Sequence, residues 1–244
     1  MVINNCIVFI PIPKNASWSV EDTCIEYGLD LTYPNILWEN SIKFGVKNPE
    51  KHIHSDINYL IDSLGMDFEF VCIIRNSTDR FISAWKFFIQ EIIQSISEEG
   101  SNILKNLDNN FIISFFKDNI YEFKNAYISY ETRVNLLIKL LETAGVIQYY
   151  NISDEFKKRY AIHIMSFVSQ YQWISSSKVK VKEFHFDRLY EFEDYISKKL
   201  NIDFKLIHKN KTQLDYSAIL KTDELIKFVD TYIDGSYKRV KSII

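Results

Sequence analysis

Two short segments of this chain carry residue types and spacings suited to chemistry on an anion. In Cys6-Ile-Val-Phe-Ile-Pro-Ile-Pro13-Lys14-Asn15-Ala16-Ser17-Trp18-Ser19, an apolar run breaks into a loop of small residues behind a Pro-Lys pair. A strand, a tight loop and a helix start in that order make an anion site. Backbone N–H groups at the first helical turn have no intrahelical acceptor, the helix dipole favours negative charge there, and Lys14 adds a full positive charge. The expected ligand is a phosphate or a sulfate. The segment has no glycine and no Lys-Ser/Thr pair, so it is not a Walker A loop and Mg-ATP fits it less well. Taken alone, the same residues also suit a plain Pro-Lys turn ahead of a helix.

The second segment is Val71-Cys-Ile-Ile-Arg75-Asn76-Ser77-Thr78-Asp79-Arg80-Phe81-Ile82-Ser83-Ala84-Trp85. It places Arg75 at the carboxyl end of a buried strand, the edge where open α/β sheets bind ligands, and Ser83 about two turns into the next helix. A planar guanidinium and a hydroxyl converging there suit a second phosphate. Arg80 either adds to that charge or forms a structural ion pair with Asp79. Group transfer to a hydroxyl needs a base titrating near neutral pH, and His52 and His54 compete for that role; on an extended segment their rings point to opposite faces. The Gln170 amide suits hydroxyl groups and the Trp173 indole suits a sugar face, although core packing accounts for Trp173 better. Lys178, Lys180 and Lys182 alternate as on a protected edge strand, the alternative being a contact with an acidic glycan. Asp187 is expected to cap the helix that follows it.

The elements positioning these residues follow from periodicity. Strand-like runs cover Ile7 to Ile12, Phe68 to Ile74 and Val179 to Phe186; helical patterns cover Ser17–Tyr27, Ser55–Leu64 stopped by Gly65, Thr78–Ser95, Arg188–Leu200 and Thr222–Ile244. Residues 98–160 read as a helical insertion over the sheet edge, with polar breaks near Ser101, Asp108 and Asn151. Strands alternating with helices predict one α/β domain over residues 1–244, with a mostly parallel central sheet and a P-loop-like strand-loop-helix nucleotide site.

Composition agrees with a globular domain: 47% of residues are hydrophobic, and 18 Phe and 15 Tyr are available to fill a core. A net charge of -3 gives no global field to attract nucleic acid, so an anionic substrate must be met locally. No apolar stretch reaches membrane-spanning length and no leader peptide is recognisable, which predicts a soluble protein. Cys6, Cys24 and Cys72 lack metal-ligand spacing and read as small hydrophobes. Of the sequons at Asn15, Asn76, Asn151 and Asn210, three fall in segments assigned to phosphate binding, where a glycan would block the site; a cytoplasmic location is expected.

Together the two segments resemble the sulfotransferases that use 3′-phosphoadenosine 5′-phosphosulfate, in particular the carbohydrate O-sulfotransferase branch. The 5′-phosphosulfate loop of that family reads Pro-Lys-Thr-Ala-Gly/Ser-Thr-Ser; Pro13 to Ser19 matches it with Asn15 and Trp18 in place of threonines. Its 3′-phosphate motif is matched by Arg75, Asn76, Arg80 and Ser83, with Ser77 replacing a proline and Trp85 a tyrosine. His54 to Gly65 is similar to the histidine-led helix before the second motif, Val168 to Ile174 to a glutamine-containing segment, and Phe186-Asp187-Arg-Leu189 to a strand-to-helix junction. Asn210-Lys211-Thr212 resembles the loop that closes on the 3′-phosphate, and Thr222 to Tyr232 the terminal helix, with the acid expected a few residues further on displaced. Residues 98–160 match nothing in the family pattern.

The resemblance implies sulfuryl transfer, without a metal, to a hydroxyl of a sugar or small metabolite by in-line displacement, leaving adenosine 3′,5′-bisphosphate. Lys14 would face the leaving phosphate, backbone N–H groups of Asn15, Ala16, Ser17, Trp18 and Ser19 with the Ser17 and Ser19 hydroxyls would hold it, and the Trp18 ring would pack on the nucleotide or against the sheet. Arg75, Ser83, Lys211 and Thr212 would hold the 3′-phosphate, His54 would be the base, and Gln170 and Trp173 would meet the acceptor. The alternatives are a non-catalytic nucleotide-binding module of the same fold and a P-loop-type phosphotransferase.

Overall fold

The computed structural model describes residues 1–33, 57–126, 129–149, 152–176, 178–207 and 218–235. The fold is α/β with a five-stranded mixed sheet among the described residues, and these residues gather into two compact units.

The first unit holds residues 1–33, 57–76, 170–176 and 178–207. Its strands are β1 (Val2–Ile3), β2 (Ile7–Ile10), β3 (Leu31–Thr32), β4 (Glu69–Ile74) and β5 (Val181–His185), in the order β3-β1-β2-β4-β5. β2, β4 and β5 run parallel, with Ile10 opposite Cys72 and Ile74 opposite His185. β1 pairs antiparallel with both β2 and β3, so the sheet is mixed rather than mostly parallel. The reason is a hairpin turn: Asn4 and Asn5 both take positive φ, 46° and 52°, and the Cys6 N–H closes on the Ile3 carbonyl at 3.2 Å. Asparagine tolerates that conformation, so a two-residue turn folds β1 back on β2 where a single strand was expected.

Four helices complete this unit: α1 (Ser17–Glu26), α2 (Ile57–Leu64), α9 (Gln170–Ile174) and α10 (Leu189–Leu200). Gly65 ends α2 as expected, at φ 84°, with its N–H on the Ile61 carbonyl at 2.8 Å. Phe9, Val71, Ile73, Phe184, Phe192 and Ile196 form the core between sheet and helices. The helix over Leu189–Leu200 starts as expected, but its cap is Arg188 without a side-chain bond, and Asp187 does not cap it.

The second unit holds residues 77–126, 129–149, 152–169 and 218–235. It contains α3 (Ser77–Ile93), α4 (Glu98–Lys105), α5 (Asn109–Asp118), α6 (Ile120–Asn125), α7 (Tyr130–Thr143), α8 (Asp154–Tyr160) and α11 (Asp223–Phe228). Most of the described residues between 98 and 160 are helical, as the pattern predicts, and they pack in one unit with α3 and α11. Side-chain caps mark the breaks: Ser97, Asp108, Ser129 and Ser153 each accept the N–H three residues on. The core is aromatic, with Phe81 edge-on to Phe116 at 5.0 Å and Phe116 stacked on Phe123 at 4.1 Å. Offset and edge-on ring pairs add to the stabilisation from buried area. The closing helix begins as predicted and widens into a π turn at Val229–Ile233, and the part of it expected beyond residue 235 lies outside the described residues. Among the described residues no helix is long and apolar enough to cross a membrane.

Candidate anion site at the strand ends

The site is built at the carboxyl ends of β2 and β4. Leaving β2, the chain takes positive φ at Lys14, 66°, and again at Ala16, 63°, with Asn15 between them. Neither is glycine, and each non-glycine residue held there costs on the order of 1 kcal/mol or more. Such strain persists only where neighbours enforce it. Asn15 supplies the force. It is fully buried, and its Nδ2 donates both to the Ile73 carbonyl of β4 at 2.9 Å and to Gln170 Oε1 at 3.0 Å. The Asn15 N–H and the Ser17 hydroxyl both reach back to the Ile12 carbonyl, at 3.3 and 2.7 Å. The loop is thus bolted down at Asn15 and at Ser17, and Lys14 and Ala16 turn left-handed on either side of Asn15.

That distortion leaves a concave run of donors. The α1 cap residue is Ala16, which has no side chain to give, and the N–H groups of Ala16, Ser17 and Trp18 find no acceptor among the described residues. Alternating signs of φ, as at Lys14 to Ala16, are the backbone pattern of anion-binding turns. The arrangement modifies the expected donor set in two places. The Asn15 N–H and the Ser17 hydroxyl proton are spent on Ile12, so neither points at a ligand. Trp18 is 48% exposed, so its ring does not lie against the sheet. Ser19 is buried in the first turn of α1, and Lys14 is half-buried.

Arg75 directly follows β4, as expected, and its guanidinium lies 4.6 Å above the Phe186 ring. Gln170 meets it from the start of α9: Gln170 Oε1 accepts from the Arg75 N–H at 3.0 Å and Gln170 Nε2 donates to the Arg75 carbonyl at 2.7 Å. Gln170 is fully buried with both ends of its amide engaged, and Trp173 is buried as well. Both pack in the interior of the first unit, and the acceptor contact expected of them stays with the resemblance. The strand pattern is likewise refined: only Lys182 of the three lysines falls within β5, with its ammonium on the Tyr195 ring at 4.1 Å, while Lys178 pairs with Asp62 at 3.2 Å.

In the second unit, Ser83 is half-buried on α3. Arg80 is buried and donates to the carbonyls of Ser166, at 2.8 Å, and Val168. Asp79 pairs with Lys221 at 2.8 Å, which replaces the expected Asp79–Arg80 pair. Sequence reasoning missed Asp234, a buried carboxylate that accepts from the hydroxyls of Ser77 and Ser169. Its only trace in the sequence is the serine standing where the resembled motif has proline. His52, His54, Lys211 and Thr212 lie outside the described residues.

No family model matches the chain, and neither a curated protein nor a solved structure is similar enough to count as a match.

Proposed function

We propose that the chain is a sulfotransferase that takes a sulfuryl group from 3′-phosphoadenosine 5′-phosphosulfate and places it on a hydroxyl of a sugar or small metabolite. The observation carrying this reading is the strained, glycine-free turn at Lys14 to Ala16, with three consecutive N–H groups that meet no acceptor among the described residues, opening at the same strand ends as Arg75. Backbone strain enforced by its neighbours in this way clusters at ligand clamps and active sites. When bound, the nucleotide supplies an activated sulfuryl group. The N–H groups of Ala16, Ser17 and Trp18 suit its 5′-phosphate, and the resemblance alone assigns Arg75, Ser83, Lys211 and Thr212 to its 3′-phosphate.

Lys14 holds positive charge where negative charge grows on the leaving phosphate, the kind of stabilisation worth several kcal/mol in a water-poor site. His54 would take the proton of the acceptor hydroxyl as its oxygen bonds to sulfur and the bond from sulfur to the bridging phosphate oxygen breaks, its electron pair leaving with the bisphosphate. A cytoplasmic setting suits the sequons at Asn15 and Asn76, which sit in these two segments. The test is transfer of labelled sulfate from the nucleotide onto a panel of hydroxylated acceptors by wild type, Lys14→Ala and His54→Ala. Transfer by wild type with loss in both variants supports the reading; nucleotide binding without transfer to any acceptor supports a non-catalytic module instead.

A further inference from the structure

One buried side chain ties the two anion-binding segments together. The orientation of the Gln170 amide is fixed by what it meets: the Arg75 N–H demands an acceptor and the Arg75 carbonyl a donor, so Oε1 faces the former and Nε2 the latter. Oε1 then also accepts from Asn15 Nδ2 at 3.0 Å, which fixes the Asn15 amide in turn, since its other neighbour, the Ile73 carbonyl, is an acceptor too. Strand pairing sets the spacing of β2 and β4 only as far as Ile10 and Cys72. Beyond that point Asn15 ties the loop to the Ile73 carbonyl, Gln170 joins Asn15 to the Arg75 backbone, and Phe186 supports the guanidinium at 4.6 Å.

We propose that Gln170, seconded by Phe186, is a positioning residue that fixes Arg75 against the Lys14–Ala16 loop and thereby sets the preference for a nucleotide phosphorylated at both 3′ and 5′ positions over one phosphorylated at 5′ alone. The inference rests on the nucleotide assignment above. A ligand with two phosphates gains from the second contact only when the two subsites are held at its own spacing; a loosened Arg75 loses that gain and leaves the 5′ contact intact. The 5′ loop retains its own ties through Asn15 to Ile73 and Ser17 to Ile12.

Calorimetric titration of the full chain with adenosine 3′,5′-bisphosphate and with adenosine 5′-phosphate tests this. Wild type should favour the bisphosphate, and Gln170→Met should shrink that preference by about tenfold while affinity for the monophosphate changes by less than about threefold. A general loss of structure lowers both affinities together and leaves their ratio alone, so the ratio separates positioning from packing. Should Gln170→Met fail to fold, Phe186→Leu is read in its place, with the same direction and a smaller change. An unchanged ratio in the folded variant overturns the positioning role by itself. Wild type that binds neither nucleotide overturns the nucleotide assignment and this inference with it.

Discussion

Asn15 sends its amide Nδ2 2.9 Å to the carbonyl of Ile73, across 58 positions of sequence, and so pins the loop after β2 to the end of β4. The bond explains why a loop without glycine turns left-handed on both sides of Asn15. It also explains why the N–H groups following the loop are left facing outward. Local strain, long-range anchoring and the candidate anion site are one arrangement.

Replacing that amide by a carboxylate exposes the dependence most sharply. In Asn15→Asp an acceptor meets two acceptors, Ile73 O and Gln170 Oε1, in a fully buried position. The expected loss of unfolding free energy is about 3 kcal/mol or more, measured by urea denaturation. A loss under about 1 kcal/mol would show that the bond does not anchor the loop.

Ala16 offers the opposite sign. At φ 63° its Cβ is strained, and glycine is not. Ala16→Gly should raise stability by about 1 kcal/mol. A fall in the unfolding midpoint would contradict the left-handed turn.

Ser77 stands where the resembled motif carries proline, and it is the first residue of α3, a position that accepts proline well. The backbone would tolerate Ser77→Pro, but the buried carboxylate of Asp234 would lose one of two hydroxyl donors. The second effect is larger, and a net destabilisation of about 1–3 kcal/mol is expected. Stabilisation by Ser77→Pro would remove Asp234 from the account of the second unit.

Glu21 on α1 accepts a hydrogen bond from the Tyr33 hydroxyl, yet burial outweighs that bond and raises its carboxyl above the ordinary value of 4.5. A carboxyl raised in the folded state binds its proton more tightly there than in the unfolded chain. Its contribution is therefore complete below pH 4.5 and is lost as pH rises through the folded value. Glu21→Gln removes this dependence, so the stability of the variant relative to wild type should grow from pH 4.5 to neutrality in denaturation curves. A difference that stays constant or shrinks would reverse the sign of the shift.

The legible parts of this molecule are those carried by period and by order along the chain. Apolar runs gave β2 and β4, alternation gave β5, Gly65 ended α2, and the polar break at Asp108 separates two helices. The antiparallel β1 escaped because its whole signal is Asn4-Asn5, two residues that only a structure shows at positive φ. At the candidate site, Lys14 and Arg75 follow from the strand-then-loop pattern. The tasks of Asn15, Ser17 and Gln170 do not, because each is set by a carbonyl or amide brought close by the fold, and no local spacing encodes it. Asp234 was hidden for the same reason: its partners lie 157 and 65 positions away.

The central claim is that the turn from Lys14 to Trp18 holds the 5′ end of a nucleotide carrying a second phosphate. Titration of wild type and Lys14→Ala with adenosine 3′,5′-bisphosphate, without divalent cations and then against Mg-ATP, tests it most directly. Wild type should bind the bisphosphate without metal, Lys14→Ala should bind it at least about tenfold more weakly, and Mg-ATP should not displace it. Absence of binding, or equal affinity in Lys14→Ala, would contradict the claim.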